Sequence, residues 1–195
     1  MFGCSRLVVW SVYRPYIPLS IRLFRKGQVN NIIDQLRAYR RYWAPDSVFS
    51  ANVATLYGRA ADNYVLWEYQ KQFASDSNIS FNDLDHALFQ QVTIEHIFAQ
   101  TPAITFPAAG FDDGDEYAAS NNMVGNLTLL EHREPNLQQQ ADNKPPTDKA
   151  RDVYPRSRIP DVQSLSQSIN AHGFSKQCID ARTAAFQTFA LKRWA

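Results

Sequence analysis

The sequence predicts a mostly helical α+β fold, on three observations. Apolar residues recur at helical spacing toward both ends, a β-branched run and a second apolar run stand in the middle, and the stretch between those runs is rich in turn residues. The first helix is expected over residues 27–43, GQVNNIIDQLRAYRRYW. There Val29, Ile32, Ile33, Leu36 and Tyr39 form one stripe, Arg37, Arg40 and Arg41 lie mostly off it, and Pro45 stops it. A second helical stretch, residues 49–73, offers Leu56, Tyr57, Ala60, Tyr64 and Trp67 as its buried face, with Gly58 as a weak point. A loop follows at residues 75–78, then a short helix within SFNDLDHALF.

The run QVTIEHIF is the first strand candidate and MVGNLTLL, residues 123–130, the second. Between them, Thr101 to Asn122 reads as one long loop with Pro102, Pro107, Gly110 and the acidic DDGDE. A loop of that length inside a compact domain is expected to be functional or mobile. Pro135 suits the first turn of a short helix, EPNLQQQAD. Residues 144–160 are proline-rich and basic, and a closing helix from about Ser175 buries Ile179, Thr183, Phe186, Phe189 or Ala190, and Trp194. The middle therefore reads strand, long loop, strand, short helix, divided as a helical region over 1–80 and a strand-bearing domain over 81–195.

At 195 residues and 45% hydrophobic, the chain can bury one substantial core, and 13% aromatics argue for ordered packing. Cys4 and Cys178 are far apart and without CxxC spacing, so neither a zinc site nor a disulfide framework is expected. The uncharged run from Leu7 to Tyr13 ends at Arg14-Pro15, too short to span a bilayer and poor as a signal peptide. A cytoplasmic protein without membrane association is the expectation. The net charge of +1 hides an asymmetry: residues 1–45 carry eight bases against one acid, and residues 46–130 carry eleven acids against two bases. Residues 131–195 carry ten bases against seven acids. Basic ends around an acidic centre suit a polyanion held over a cation site, and they equally suit solvated helix faces.

Three features of the central unit can make one hydrolytic site: Glu95-His96 ending the first strand, Asn126 opening the second, and Asn136 on the short helix. Carboxylate and amide oxygens are hard ligands that suit Mg²⁺ or Mn²⁺. A histidine beside such an ion, but not bound to it, can take a proton from water near neutral pH. Asn126 then braces the loop that holds His96. Strand geometry raises an objection, because adjacent residues in a regular strand point to opposite faces. The strand must end, twist or bulge for Glu95 and His96 to share a site. Alone, such a pair is more often packed than catalytic, and His86, His132 and His172 read as structural or surface residues.

The ordered set TIEHIFAQ, MVGNLTLLEHREPN, then Asn143, Lys149, Tyr154 and Ser157, resembles the HNH-like nuclease domain at the C-terminus of GmrSD-type, modification-dependent (type IV) restriction endonucleases. The likeness runs over Glu95-His96-Ile97 with Gln100, Gly125 to Leu130 and Asn136, and the terminal CIDARTAAFQTFALKRW resembles that family's closing helix. Ala99 stands where the family usually has proline. The resemblance implies a ββα-metal core that hydrolyses DNA phosphodiester bonds with one Mg²⁺ or Mn²⁺ and no zinc. His96 would be the general base, Glu95 and Asn136 the metal ligands, and Asn126 the brace. Lys149, Tyr154, Lys144 and Asn143 are candidates for phosphate or DNA contact, with packing the other reading for Lys149 and Tyr154. No glycine-rich phosphate loop precedes the nuclease region, so a nucleotide-binding sensor is expected on a separate subunit or absent. The rival expectation is a non-catalytic module that binds DNA or a partner through its basic segments.

Overall fold

The computed structural model describes residues 45–80, 86–101 and 104–194, with Ala38 and Tyr42 alone before them. The helix expected over 27–43 lies outside the described residues. The chain divides into two compact units, Met1–Val48 and Phe49–Ala195.

Helix α1 (Asp46–Ala54) and helix α2 (Asp62–Asp76) replace the single helical stretch expected there. Gly58, at φ +76°, sits in the turn between them, a left-handed conformation that glycine adopts without strain. The turn resets the helical phase. Leu56 and Trp67 are therefore buried as expected, whereas Tyr57, Ala60 and Tyr64 are exposed.

After the single turn α3 (His86–Phe89), β1 (Val92–His96) pairs antiparallel with β2 (Leu127–Glu131). The register runs from Val92 opposite Glu131 to His96 opposite Leu127. Every residue of β2 is buried. Helices α2, α5 (Leu137–Ala141) and α7 (Pro160–His172) pack against it, which accounts for its nearly continuous apolar run. Leu66 and Trp67 of α2 share this core with Leu129, Leu130, Val162, Ile169 and Phe186. Tyr69 stacks on Phe186 of α8 (Lys176–Trp194), ring centroids 3.8 Å apart. Helix α8 buries Ile179, Thr183, Phe186, Phe189 and Ala190 as its spacing predicts.

Three segments depart from expectation. The long loop holds a helix, α4 (Gly114–Asn121), whose N-cap Asp113 accepts from the Glu116 N–H at 2.8 Å. Phe98, Phe111, Tyr117 and Ile179 form a second small core that anchors this segment. Helix α5 begins at Leu137 rather than near Pro135, because the Asn136 carboxamide oxygen caps it by accepting from the Gln139 N–H at 3.1 Å. The proline-rich stretch contains α6 (Pro146–Asp152) and a 3₁₀ turn at Tyr154–Arg156, with a proline in the first turn of each. Among the described residues, no helix is long and apolar enough to cross a membrane.

Candidate functional site

Strand β1 ends at His96, and the chain turns away through Ile97 and Phe98. That turn is held from the other strand. The Ile97 N–H donates to the Asn126 carbonyl at 2.8 Å, and the Asn126 side chain then grips the next residue from both sides. Its Oδ1 accepts from the Phe98 N–H at 2.9 Å, and its Nδ2 donates to the carbonyls of Phe98 at 3.0 Å and Asn121 at 2.8 Å. Asn121 Nδ2 adds bonds to the carbonyls of Phe98 and Ala99. Asn126 is fully buried, so each bond replaces water that the loop has lost.

The 3₁₀ turn Val124–Asn126 is itself fixed by α8. Arg182 donates to the carbonyls of Gly125 at 2.9 Å and Leu127 at 3.1 Å, and it forms a two-pronged pair with Asp161 at 3.0 Å on each oxygen. The Thr183 hydroxyl accepts from the Gly125 N–H at 3.2 Å. A Cβ at Gly125 would overlap the Ile179 carbonyl and the Thr183 side chain, so only glycine lets the turn come this close.

Glu95 and His96 do diverge, as strand geometry requires. Glu95 is buried among α5, α6 and the Tyr154 turn. Its Oε1 accepts from Lys149 Nζ at 2.6 Å and from the Tyr154 hydroxyl at 3.4 Å, and its Oε2 accepts from Gln138 Nε2 at 2.7 Å. Burial pushes its carboxyl pKa up, opposed by Lys149, Gln138 and Tyr154. His96 is half-buried on another side. Its Nε2 lies 3.0 Å from Asn122 Oδ1, and the Tyr57 ring meets it edge-on with centroids 4.7 Å apart. An amide oxygen accepts, so Nε2 carries the hydrogen and Nδ1 the free lone pair. Burial lowers the His96 pKa, helped by Lys149 and opposed by Asn122, which keeps the ring neutral at pH 7.

Both side chains nevertheless line one cavity of about 310 Å³ at the strand end, with Ala99, Gln100, Gln138, Gln139, Asp142 and Asn143. The strand needs no bulge, because it ends where the cavity opens. The lining is rich in hard oxygens and holds no lysine or arginine. Gln138 Oε1 is buried without a hydrogen-bond partner, an acceptor left for a ligand.

The structure thus brings Glu95, His96 and Asn143 to one cavity, sets Asn126 behind them as a buried brace of the loop, and separates others. Asn136 does not line the cavity, and its side chain is engaged with Gln139. Among the described residues, no group of three His, Cys, Asp or Glu side chains is placed to hold a metal ion. Oxygen chemistry at the cavity fits Mg²⁺ or Mn²⁺, whereas a ready-made Glu95–Asn136 pair does not stand there. Lys149 and Tyr154 are fully buried on Glu95 and reach no surface where a phosphate could meet them, so packing is the reading that fits. Lys144 is exposed. Asn122, Tyr57 and Gln138 carry no motif-level signal, whereas Arg182 lies in the terminal segment whose resemblance includes an Arg.

The sequence model of the GmrSD restriction endonucleases, C-terminal domain, matches residues 45–189. The chain belongs to this family. No curated protein and no solved structure matches it. The matched span contains the hairpin, the cavity and all but the end of α8, so the GmrSD C-terminal domain and the second compact unit largely coincide.

Proposed function

We propose that this GmrSD C-terminal domain is an HNH-like, metal-dependent endonuclease that hydrolyses DNA phosphodiester bonds. The observation that carries the reading is His96, held by Asn122 and Tyr57, at the edge of a cavity it shares with Glu95. His96 Nδ1 takes a proton from water as the water oxygen attacks phosphorus. The P–O3′ bond then breaks and the leaving 3′ oxygen takes a proton from solvent, giving a 5′-phosphate and a 3′-hydroxyl. Asn126 keeps the departing loop, and with it the histidine backbone, in place during the reaction.

Charge supports the metal requirement. The cavity offers two carboxylates and no cation of its own, and the Lys149 charge is already matched by Glu95. A phosphodiester anion entering it needs a positive partner. A bound Mg²⁺ or Mn²⁺ would supply that charge and stabilise the leaving oxygen. In this proposal Glu95 is the carboxylate ligand, and Asn136 joins it on releasing Gln139. Asn143 on the cavity wall and exposed Lys144 nearby are the proposed DNA contacts, and a nucleotide-binding sensor subunit is the proposed protein partner.

The test is plasmid nicking with Mg²⁺ or Mn²⁺, comparing wild type with His96→Ala at matched folded concentration. Loss of nicking in the variant supports the proposal, and equal rates sink it. The engagement of both Glu95 oxygens favours a second reading, a module that binds DNA or a sensor subunit without turnover. That reading predicts salt-sensitive DNA binding that is indifferent to metal and to His96→Ala.

A further inference from the structure

Helix α6 delivers one charged side chain into the core. Lys149 has no exposed surface, and Ala150 and Val153 beside it are buried as well. Its ammonium donates to Glu95 Oε1 and to the main-chain carbonyl of His96, each at 2.6 Å. One group therefore holds the side chain of one candidate functional residue and the backbone of the next. We infer that Lys149 is a positioning residue, a buried clamp that fixes the Glu95 carboxylate and the His96 main chain relative to each other where β1 ends.

The inference rests on the nuclease reading for its functional meaning, but the geometry argues for it separately. An ion pair at about 1–2% side-chain exposure is poor value as a stabiliser, because desolvating both charges offsets most of their attraction. Apolar residues of the same volume would pack the interior as well. What they could not do is hold two polar acceptors on adjacent residues. Lys149 fixes the chain at the His96 carbonyl and Asn126 fixes it two residues on by bonding Phe98, so the backbone leaving the histidine is held at two successive points. In this structure burial leaves no face of Lys149 open to a phosphate.

Three roles separate in kinetics. Wild type, Lys149→Met and Lys149→Gln are assayed for nicking at a temperature where circular dichroism shows each fully folded. A positioning role predicts that kcat falls on the order of 100-fold, with KM and the salt dependence of DNA binding within about threefold of wild type. Lys149→Gln, which can still donate to the His96 carbonyl, should recover part of the loss. Wild-type kcat in both folded variants would overturn the inference in favour of packing alone, and a raised KM with a shallower salt slope would overturn it in favour of phosphate contact.

A second readout does not depend on cleavage. In ¹H–¹⁵N spectra of the imidazole groups, assigned through His96→Ala, the His96 signals should move or double in Lys149→Gln. Signals that coincide with wild type within the linewidth would overturn the clamp whether or not the protein cuts DNA. Equal nicking by wild type and His96→Ala, with the His96 signals displaced, would retire the nuclease reading and leave the clamp standing. Should Lys149→Met fail to fold, Lys149→Gln alone decides through both readouts.

Discussion

Replacing Asn126 with aspartate changes one NH₂ group to oxygen and leaves the shape intact, which makes it a direct test of the loop brace. The retained oxygen can still accept from the Phe98 N–H. The new oxygen faces the carbonyls of Phe98 and Asn121, 3.0 and 2.8 Å from the atom it replaces. Two attractive contacts become repulsive, and a carboxylate is left buried without a cation among its bonded partners. An unpartnered buried charge of this kind costs about 3–5 kcal/mol. Asn126→Ala loses all three bonds without adding charge, and about 2–4 kcal/mol is expected from the Phe98 N–H and the Asn121 carbonyl left unpaired. At about 2–4 °C per kcal/mol for a chain of this size, N126D should melt roughly 6–20 °C below wild type at pH 7. The deficit should shrink in acid. A carboxyl whose folded-state pKa is raised binds its proton more tightly when folded, so lowering the pH favours the folded variant and restores one donor. Melting curves at pH 7 and pH 5 measure both effects. An N126D protein that melts within about 2 °C of wild type at pH 7 would refute the brace and the three bonds on which it rests.

Two further predictions follow from the same geometry. Arg182→Met removes the bonds to Gly125 and Leu127 and strands Asp161 in the core, a loss of about 3–5 kcal/mol by urea unfolding. The double variant with Asp161→Asn should recover a large part of it, and equal stability of single and double variants would refute a coupled pair. Burial lowers the His96 pKa, so the neutral base persists to more acid pH and the acid limb of the nicking rate should fall below pH 6.5. Asn122→Asp places a carboxylate on Nε2 and should move that limb upward. An acid limb above pH 7 in wild type would contradict the environment described for the ring.

The elements legible in the sequence are those whose pattern is local. A β-branched run marks the first strand and a leucine-rich apolar run the second, and Ile179, Thr183, Phe186 and Ala190 mark the inner face of α8. Helix α4 was missed because DDGDE reads as a solvated acidic loop, although Asp113 and Glu116, three apart, form an N-terminal capping pattern. Helix α7 carried its own signals, Pro160 at the start, Val162, Leu165 and Ile169 on one face, and Gly173 at the stop. The start of α5 follows Asn136, whose side chain caps the helix as Pro135 cannot. At the site, Glu95, His96 and Asn126 were legible as a spaced set. Asn122 and Tyr57 were not, because a contact from His96 back to a turn 39 positions earlier leaves no periodic trace.

The basic segment after residue 143 shows why charge alone misplaces function. Lys144, Lys149, Arg151, Arg156 and Arg158 look alike as a run that could meet a phosphate backbone. Helical phase separates them. On α6, Lys149, Ala150 and Val153 fall at spacings of one and four and turn inward, while Arg151 and Asp152 pair with each other in solvent. The buried donors then have matching acceptors on the hairpin. Lys149 and Tyr154 serve Glu95 on β1, and the Ser157 hydroxyl donates to Glu131 Oε2 on β2 at 2.9 Å, beside the Arg158 N–H on Oε1 at 2.7 Å. Two carboxylates that would otherwise be stranded at the hairpin are thus met by donors from one downstream segment. Lys149, Tyr154 and Ser157 are therefore buried partners of the hairpin rather than exposed groups. They are what allows the carboxylates to be inside at all, and in Glu95 they hold the group that faces the cavity.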